Sequence, residues 1–206
     1  SCTDKLATFV TTVDAFWSLD GNTNDVSGNG NNERALGGTT SPTYSTDVVQ
    51  GTNAANFDGI DDAIRYSQDG GFMETTYTNL SFSAWIKPDV LVGERIIYEE
   101  GGGTNGVTLW LNDDVLTYSA RNGGVGSQTD VVHPTLLILD GNYHHVAATF
   151  NAGVMNLYLD GIPATPVAAA FSDIPTHTSD GGLGGPIGGG TSAGISGYFD
   201  GLMDAA

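Results

Sequence analysis

One short segment near the N-terminus carries the oxygen atoms that a hard cation seeks. Asp20-Gly-Asn-Thr-Asn-Asp25 sets Asp20, Asn22 and Asn24 at alternating positions of a glycine-containing turn, with Asp25 beside them. Calcium takes about six to eight oxygens at ~2.3–2.6 Å, and tight loops add backbone carbonyls to the set. The spacing begins like an EF-hand loop. Its sixth position is Asp25 rather than glycine, and its twelfth is Asn31 rather than glutamate, so that motif is excluded. The residues alone leave two readings open: a calcium loop, or an Asx-rich turn whose side chains cap their own backbone.

Catalytic constellations are harder to find. Glycoside hydrolysis needs paired carboxylates facing one bond, and a strand-borne Glu-x-Asp-x-x-Glu string would supply them. No such string exists among Glu33, Glu74, Glu94, Glu99 and Glu100, the only glutamates. On a straight strand Glu94 and Glu99 point to opposite faces. Tyr118, Arg121 and His133 are the residue types of a lyase, but nothing in their spacing supports one. His144 and His145 are adjacent and diverge on a strand, which argues against zinc. No nucleophile elbow appears. The glycines of Gly181 to Gly190 precede no lysine and no helix, so they do not cradle phosphate. Catalysis is therefore disfavoured.

Binding is better served. Leu80-Ser-Phe-Ser-Ala-Trp-Ile-Lys87 alternates, so Phe82, Ala84 and Ile86 share one face while Ser81, Ser83 and Trp85 share the other. In Gly106 to Leu111, Leu109 and Leu111 oppose Thr108 and Trp110. The aliphatic faces read as a core between two sheets. A tryptophan among hydroxyls on an outer face is a platform for the apolar C–H face of a sugar; the other reading is a secondary core under loops. Trp85, Trp110, Tyr118, Asn105 and Arg121 are the candidate contacts of the outer face and its rim.

The elements that must position these residues are short strands separated by Gly, Asn, Asp and Thr. Strands are expected over 13–19, 54–57, 63–66, 80–87, 94–99, 106–111, 115–119, 145–150, 155–160, 183–187 and 197–203. The runs 54–57 and 63–66 read as a pair across the turn Asp58 to Asp62. No window carries a helical apolar stripe. Regular strand spacing points to an all-β fold, an antiparallel two-sheet β-sandwich or jelly roll, with residues 1–206 forming one domain.

Charge narrows the partners. Six Lys and Arg stand against 24 Asp and Glu, a net −18. A chain so acidic and without a basic cluster is unsuited to nucleic acid or anionic lipid, and suited to cations. No apolar run reaches the ~18 residues of a membrane span. The lone Cys2 cannot form an internal disulfide. Ser1-Cys2 is similar to the end of a bacterial lipoprotein signal, whose cysteine becomes a lipid anchor; the alternative is an ordinary exposed cysteine.

Several segments, in order, resemble a known family. Phe16-Trp-Ser-Leu-Asp-Gly-Asn-Thr-Asn-Asp-Val-Ser-Gly-Asn-Gly-Asn31 is similar to the opening of laminin-G-like, concanavalin A-like jelly-roll modules. Asn56-Phe-Asp-Gly-Ile-Asp-Asp62, Phe82-Ser-Ala-Trp-Ile-Lys-Pro88, Asp140-Gly-Asn-Tyr-His-His-Val-Ala147, Leu157-Tyr-Leu-Asp-Gly161 and Phe199-Asp-Gly-Leu-Met-Asp204 resemble its later signatures. The resemblance implies a structural calcium at the Asp20 loop, with Asp204 as partner, clipping the two ends of the chain together. It implies a secreted or bacterial cell-surface setting and a glycan- or polysaccharide-binding module, with an adhesive spacer or a polysaccharide-cleaving enzyme as alternatives. A pentraxin-type paired-calcium site is not expected, since Gly188 to Gly197 holds no acid. Members of the family usually continue past the final Gly-x-x-Asp with an apolar strand. This chain stops at Asp204-Ala-Ala206, so a shortened closing strand, an open sheet edge and a dimer through that edge are expected.

Overall fold

The computed structural model describes residues 13–33, 40–66, 75–124, 126–137, 139–187 and 194–206. Cys2 lies outside them, as do residues 188–193 of the late glycine-rich stretch. Among the described residues fourteen strands form in chain order: β1 (Thr43–Ser45), β2 (Ala54–Asp58), β3 (Ile64–Tyr66), β4 (Asn79–Pro88), β5 (Glu94–Gly101), β6 (Asn105–Asn112), β7 (Val115–Asn122), β8 (Gln128–Val132), β9 (His144–Asn151), β10 (Val154–Leu159), β11 (Ile162–Pro163), β12 (Val167–Ala168), β13 (Gly181–Leu183) and β14 (Asp200–Asp204). No helix appears among the described residues, and so none long and apolar enough to cross a membrane.

The strands make two antiparallel sheets, as a jelly-roll sandwich requires. One is eight-stranded, in the order β1-β2-β14-β4-β9-β10-β11 with β12 on β10; the other is six-stranded, in the order β3-β13-β5-β6-β7-β8. Their facing sides hold the expected aliphatic residues: Phe82, Ala84, Ile86, Leu109, Leu111, Val146, Ala148 and Phe150 are all buried. Phe82 of one sheet stacks on Tyr98 of the other, with centroids 4.3 Å apart. Such aromatic pairs add about 0.5–1.5 kcal/mol beyond their buried area.

Four expectations are corrected. Residues 13–19 form no strand; Trp17 exchanges backbone hydrogen bonds of 2.8 and 3.0 Å with Ala206, and Phe16 O accepts the Val26 N–H at 2.8 Å. The runs around 54–57 and 63–66 are not a hairpin, because β2 and β3 belong to different sheets. The turn Asp58 to Asp62 carries the chain between the sheets, so that Phe57 and Ile64 enter the core from opposite sides. Glu94 and Glu99 do share a face. A bulge between Ile96 and Tyr98 shifts the register by one residue, and a one-residue slip reverses every later side chain. Finally, β14 runs between β2 and β4 and is itself no edge strand.

Candidate functional site

Trp85 and Trp110 lie on opposite sides of the molecule. Both point away from the core, but β4 belongs to the eight-stranded sheet and β6 to the six-stranded one. They cannot form one platform, and their surroundings differ. Trp110 Nε1 donates to Ser119 Oγ at 3.0 Å. Its neighbours Thr108, Thr117 and Ser119 are buried, so this face is closed. Tyr118 alternates with Ser119 and packs in the core. Arg121 is buried, donating to Gly103 O at 2.7 Å and Gln128 Oε1 at 2.5 Å. Asn105 ties loops together through Thr176 O and the Gly123 N–H. These last three residues hold structure rather than present a surface.

The Trp85 side is open. Register sets Asp204, Trp85 and His145 side by side on β14, β4 and β9. The Asp160 N–H donates to His145 O at 2.8 Å and extends that row at the end of β10. The Trp85 and His145 rings meet edge to face with centroids 5.1 Å apart. Trp85, His145, Asp160 and Gly161 line a hollow of about 400 Å3. Ser81 and Ser83 stand exposed on the same strand face, and Tyr158 is partly exposed one strand beyond Ala147. A half-buried indole beside hydroxyls and an imidazole can stack on a flat apolar face and hydrogen-bond its polar edge.

Asp160 is held for this position. Its φ is +51°, a left-handed conformation that Asp and Asn tolerate better than most residues. Oδ1 accepts the His145 N–H at 2.8 Å, and Oδ2 lies 2.8 Å from His144 Nδ1. Burial pushes the His145 pKa below its ordinary value, against the pull of Asp160, so the ring facing Trp85 is neutral at neutral pH. His145, Asp160 and Gly161 were within reach of sequence reasoning only as a His-His pair and an Asp-Gly turn; the register that joins them to Trp85 is tertiary.

The acidic loop divides into spent and unspent carboxylates. Asp25 accepts N–H groups from Phe16, Ser27 and Asn31 and the Ser27 hydroxyl, at 2.8–3.0 Å. Burial opposes its ionisation, yet those donors hold its pKa below the usual value. Asn22 Oδ1 accepts the Asn24 N–H at 2.9 Å, and both residues are exposed. This part is the self-capping turn. Asp20 and Asp204 instead converge on the segment 49–53. Asp20 Oδ1 accepts the Thr52 hydroxyl and the N–H groups of Thr52 and Asn53. Asp204 Oδ2 accepts the Val49 and Gln50 N–H groups at 2.8 and 2.9 Å. Asp204 Oδ1 is buried with no partner. Burial raises the Asp204 pKa, and the charge of Asp20 adds to that. Hydrogen bonds from Thr52 lower that of Asp20.

A second acidic group, Asp58, Asp61 and Asp62, lies at the turn between the sheets. Asp58 Oδ1 accepts the Ile60 N–H, and the two oxygens of Asp62 accept the Thr40 hydroxyl and the Asp58 N–H. These bonds account for the cluster as a turn.

Residues 57–206 match the profile of the concanavalin A-like lectin/glucanase superfamily, of laminin G type. The chain belongs to that superfamily. None of the curated protein sequences is significantly similar to this concanavalin A-like chain. Among solved structures, domain 4 of a GH43 extracellular arabinanase from Geobacillus stearothermophilus, in complex with arabinotriose, is similar at a TM-score of 0.71 and 22% identity, covering 93% of this chain and 89% of that one. Mouse laminin alpha1 domains LG4-5 give 0.59 and 18%, covering 82% and 43%. The CBM40 of a Ruminococcus gnavus IT-sialidase gives 0.57 and 14%, covering 74% and 88%. At these identities the likeness is one of fold.

A carboxyl on the closed face of this lectin-like sandwich completes the inventory. Glu99 lies in the outer row of Thr108 and Ser119, fully buried. Its Oε1 accepts the Ile187 N–H, and Oε2 has no partner. Burial raises its pKa well above the ordinary value, the Ile187 bond opposes this, and Glu100 adds to it. Glu94 shares the face but sits four paired positions away, roughly 13 Å along a strand. That is beyond the ~5–9.5 Å of a glycosidase pair. Because the folded pKa is raised, the stability Glu99 contributes is full below the unfolded pKa and is lost as pH rises through the folded one. Glu99→Gln keeps the acceptor for Ile187 and removes the titration. The variant should unfold at a higher midpoint than the parent at pH 8–9, with the difference vanishing near pH 4. The parent's excess slope should approach ~1.4 kcal/mol per pH unit; equal slopes in thermal melts would refute it.

Proposed function

We propose that this chain is a non-catalytic carbohydrate-binding module that takes a glycan on the Trp85 hollow, with a calcium ion bound between Asp20 and Asp204. The observation that carries the reading is the open face itself: an indole ring flanked by Ser83, His145 and Asp160, over a hollow of about 400 Å3. Sugars present an apolar C–H face to such a ring and hydroxyls to its polar rim. Relatives by fold support the reading, since one was solved with arabinotriose and another with alpha2,3 sialyllactose. The partner is accordingly a glycan or polysaccharide, and the setting is that of a secreted or cell-surface protein, as with the extracellular arabinanase.

The donor set fits calcium. Asp204 Oδ1 is a buried carboxylate oxygen without a partner, which is costly unless a cation or proton reaches it. Asp20 adds a second carboxylate from across the 49–53 segment. Bound there, calcium would offset the repulsion between them. It would also tie both chain ends to this segment, because Trp17 and Ala206 are already paired. Asp20 and Asp204 would hold it; Asp25, Asn22 and Asn24 are committed to their own turn.

A glycan array of plant, algal and animal polysaccharides, read with calcium and with chelator, tests the function. Binding to at least one glycan class is expected. No binding anywhere would move the chain to the spacer reading.

A further inference from the structure

We infer that the Trp85 hollow selects uncharged glycans and rejects uronate- and sialate-bearing ones, with Asp160 as the discriminating residue. This rests on the carbohydrate-binding reading above and goes further by naming the ligand class.

The charges around the hollow carry the argument. Recognition of a sugar carboxylate requires a cation or several aimed N–H donors near the ring. Here the rim carries the exposed Asp160 carboxylate. Behind it lies Asp140, whose Oδ1 is 3.4 Å from His144 Nε2. His145 adds no positive charge at neutral pH, because burial lowers its pKa.

The cation on the same strand face is Lys87, two residues from Trp85. Asp47 holds its Nζ at 2.6 Å, with the Tyr143 ring 6.0 Å below. The other cations of the described residues are committed elsewhere. Arg65 pairs with Asp180, Arg95 bonds the Glu94 carbonyl, and Arg121 is held by Gly103 and Gln128. Among the described residues no uncommitted cation would meet a sugar carboxylate over Trp85, which would face the Asp160 carboxylate inside the field of a chain with net charge −18. Hydroxyls meet no such opposition. They can donate to Asp160, whose oxygens each keep acceptor capacity beyond the His144 and His145 contacts.

The test uses ligand pairs differing chiefly in charge: lactose with sialyllactose, methyl-esterified with de-esterified homogalacturonan, and xylan with glucuronoxylan. Affinities at pH 7.5 and low salt are compared for the parent chain, Asp160→Asn and Trp85→Ala. Asn suits the left-handed backbone at position 160 and keeps an acceptor for the His145 N–H. The neutral member of any bound pair should bind at least about tenfold more tightly than the anionic one, since like charges across a site act directly on affinity. The gap should narrow in Asp160→Asn and with added salt. An anionic ligand that binds as tightly as its neutral counterpart, and is lost in Trp85→Ala, overturns the selection while leaving the site in place. A gap unchanged by Asp160→Asn overturns the role of Asp160. Binding unaffected by Trp85→Ala, or absent for all neutral glycans, overturns the underlying site.

Discussion

Saturating calcium raises the unfolding midpoint by about 5–10 °C, and Asp204→Asn abolishes the rise. The magnitude follows from linkage. A site at 100 times its dissociation constant adds ~2.7 kcal/mol, and ~1 kcal/mol moves the midpoint of a chain this size by about 2–4 °C. The variant isolates the cause. Asparagine still accepts the Val49 and Gln50 N–H groups that Asp204 Oδ2 accepts now, but it removes the charge an ion needs. The effect has a pH signature. Burial raises the folded pKa of Asp204, so without metal its contribution is complete below the unfolded value and lost as pH rises through the folded one. Calcium uses the ionised form, so its increment grows over the same window. Calorimetry at pH 4, 5.5 and 7.5, with calcium and with chelator, reads both. A midpoint indifferent to calcium at pH 7.5 would remove the ion from the proposal.

Trp85→Ala weakens glycan binding about 30-fold or more and leaves the unfolding midpoint nearly unchanged. An aromatic anchor at the centre of a binding face contributes at least ~2 kcal/mol, which is about 30-fold in affinity. Little stability is lost because Trp85 faces outward, half-buried and outside the core between the sheets, with the His145 ring packed edge-on against it. Trp110→Ala supplies the opposite pattern. It breaks the hydrogen bond to buried Ser119, costing about 1–2 kcal/mol, and leaves glycan affinity alone. Titration calorimetry with a ligand from the array, beside thermal melts, separates the two. Loss of binding in the Trp110 variant, or its survival in the Trp85 variant, would reverse the choice of face.

The two tryptophans show where local reading reaches its end. Alternation places both outside the core, and the structure agrees: Ile86 and Leu111 beside them are buried. Alternation is silent on which sheet each strand joins, because that depends on partners far along the chain. β4 lies between β14 and β9, and β6 between β5 and β7. The parity of Glu94 and Glu99 failed for a different reason. A bulge is an extra residue that local propensity does not reveal, and it turned Glu99 to the side of Glu94.

The sequence by itself determined the all-β class, most strand positions, the face alternation of β4 and the family, because these rest on short-range pattern and on motifs. It also set the acidic charge that underlies both the calcium and the neutral-glycan proposals. Only the tertiary structure decided that Asp25 is saturated by its own turn while Asp204, far away in the chain, keeps a buried oxygen without a partner. It likewise decided that Trp85, His145 and Asp160 share one hollow. The physical reason is the same in each case. Sheet register brings distant residues side by side, and burial then sets what their polar atoms must find.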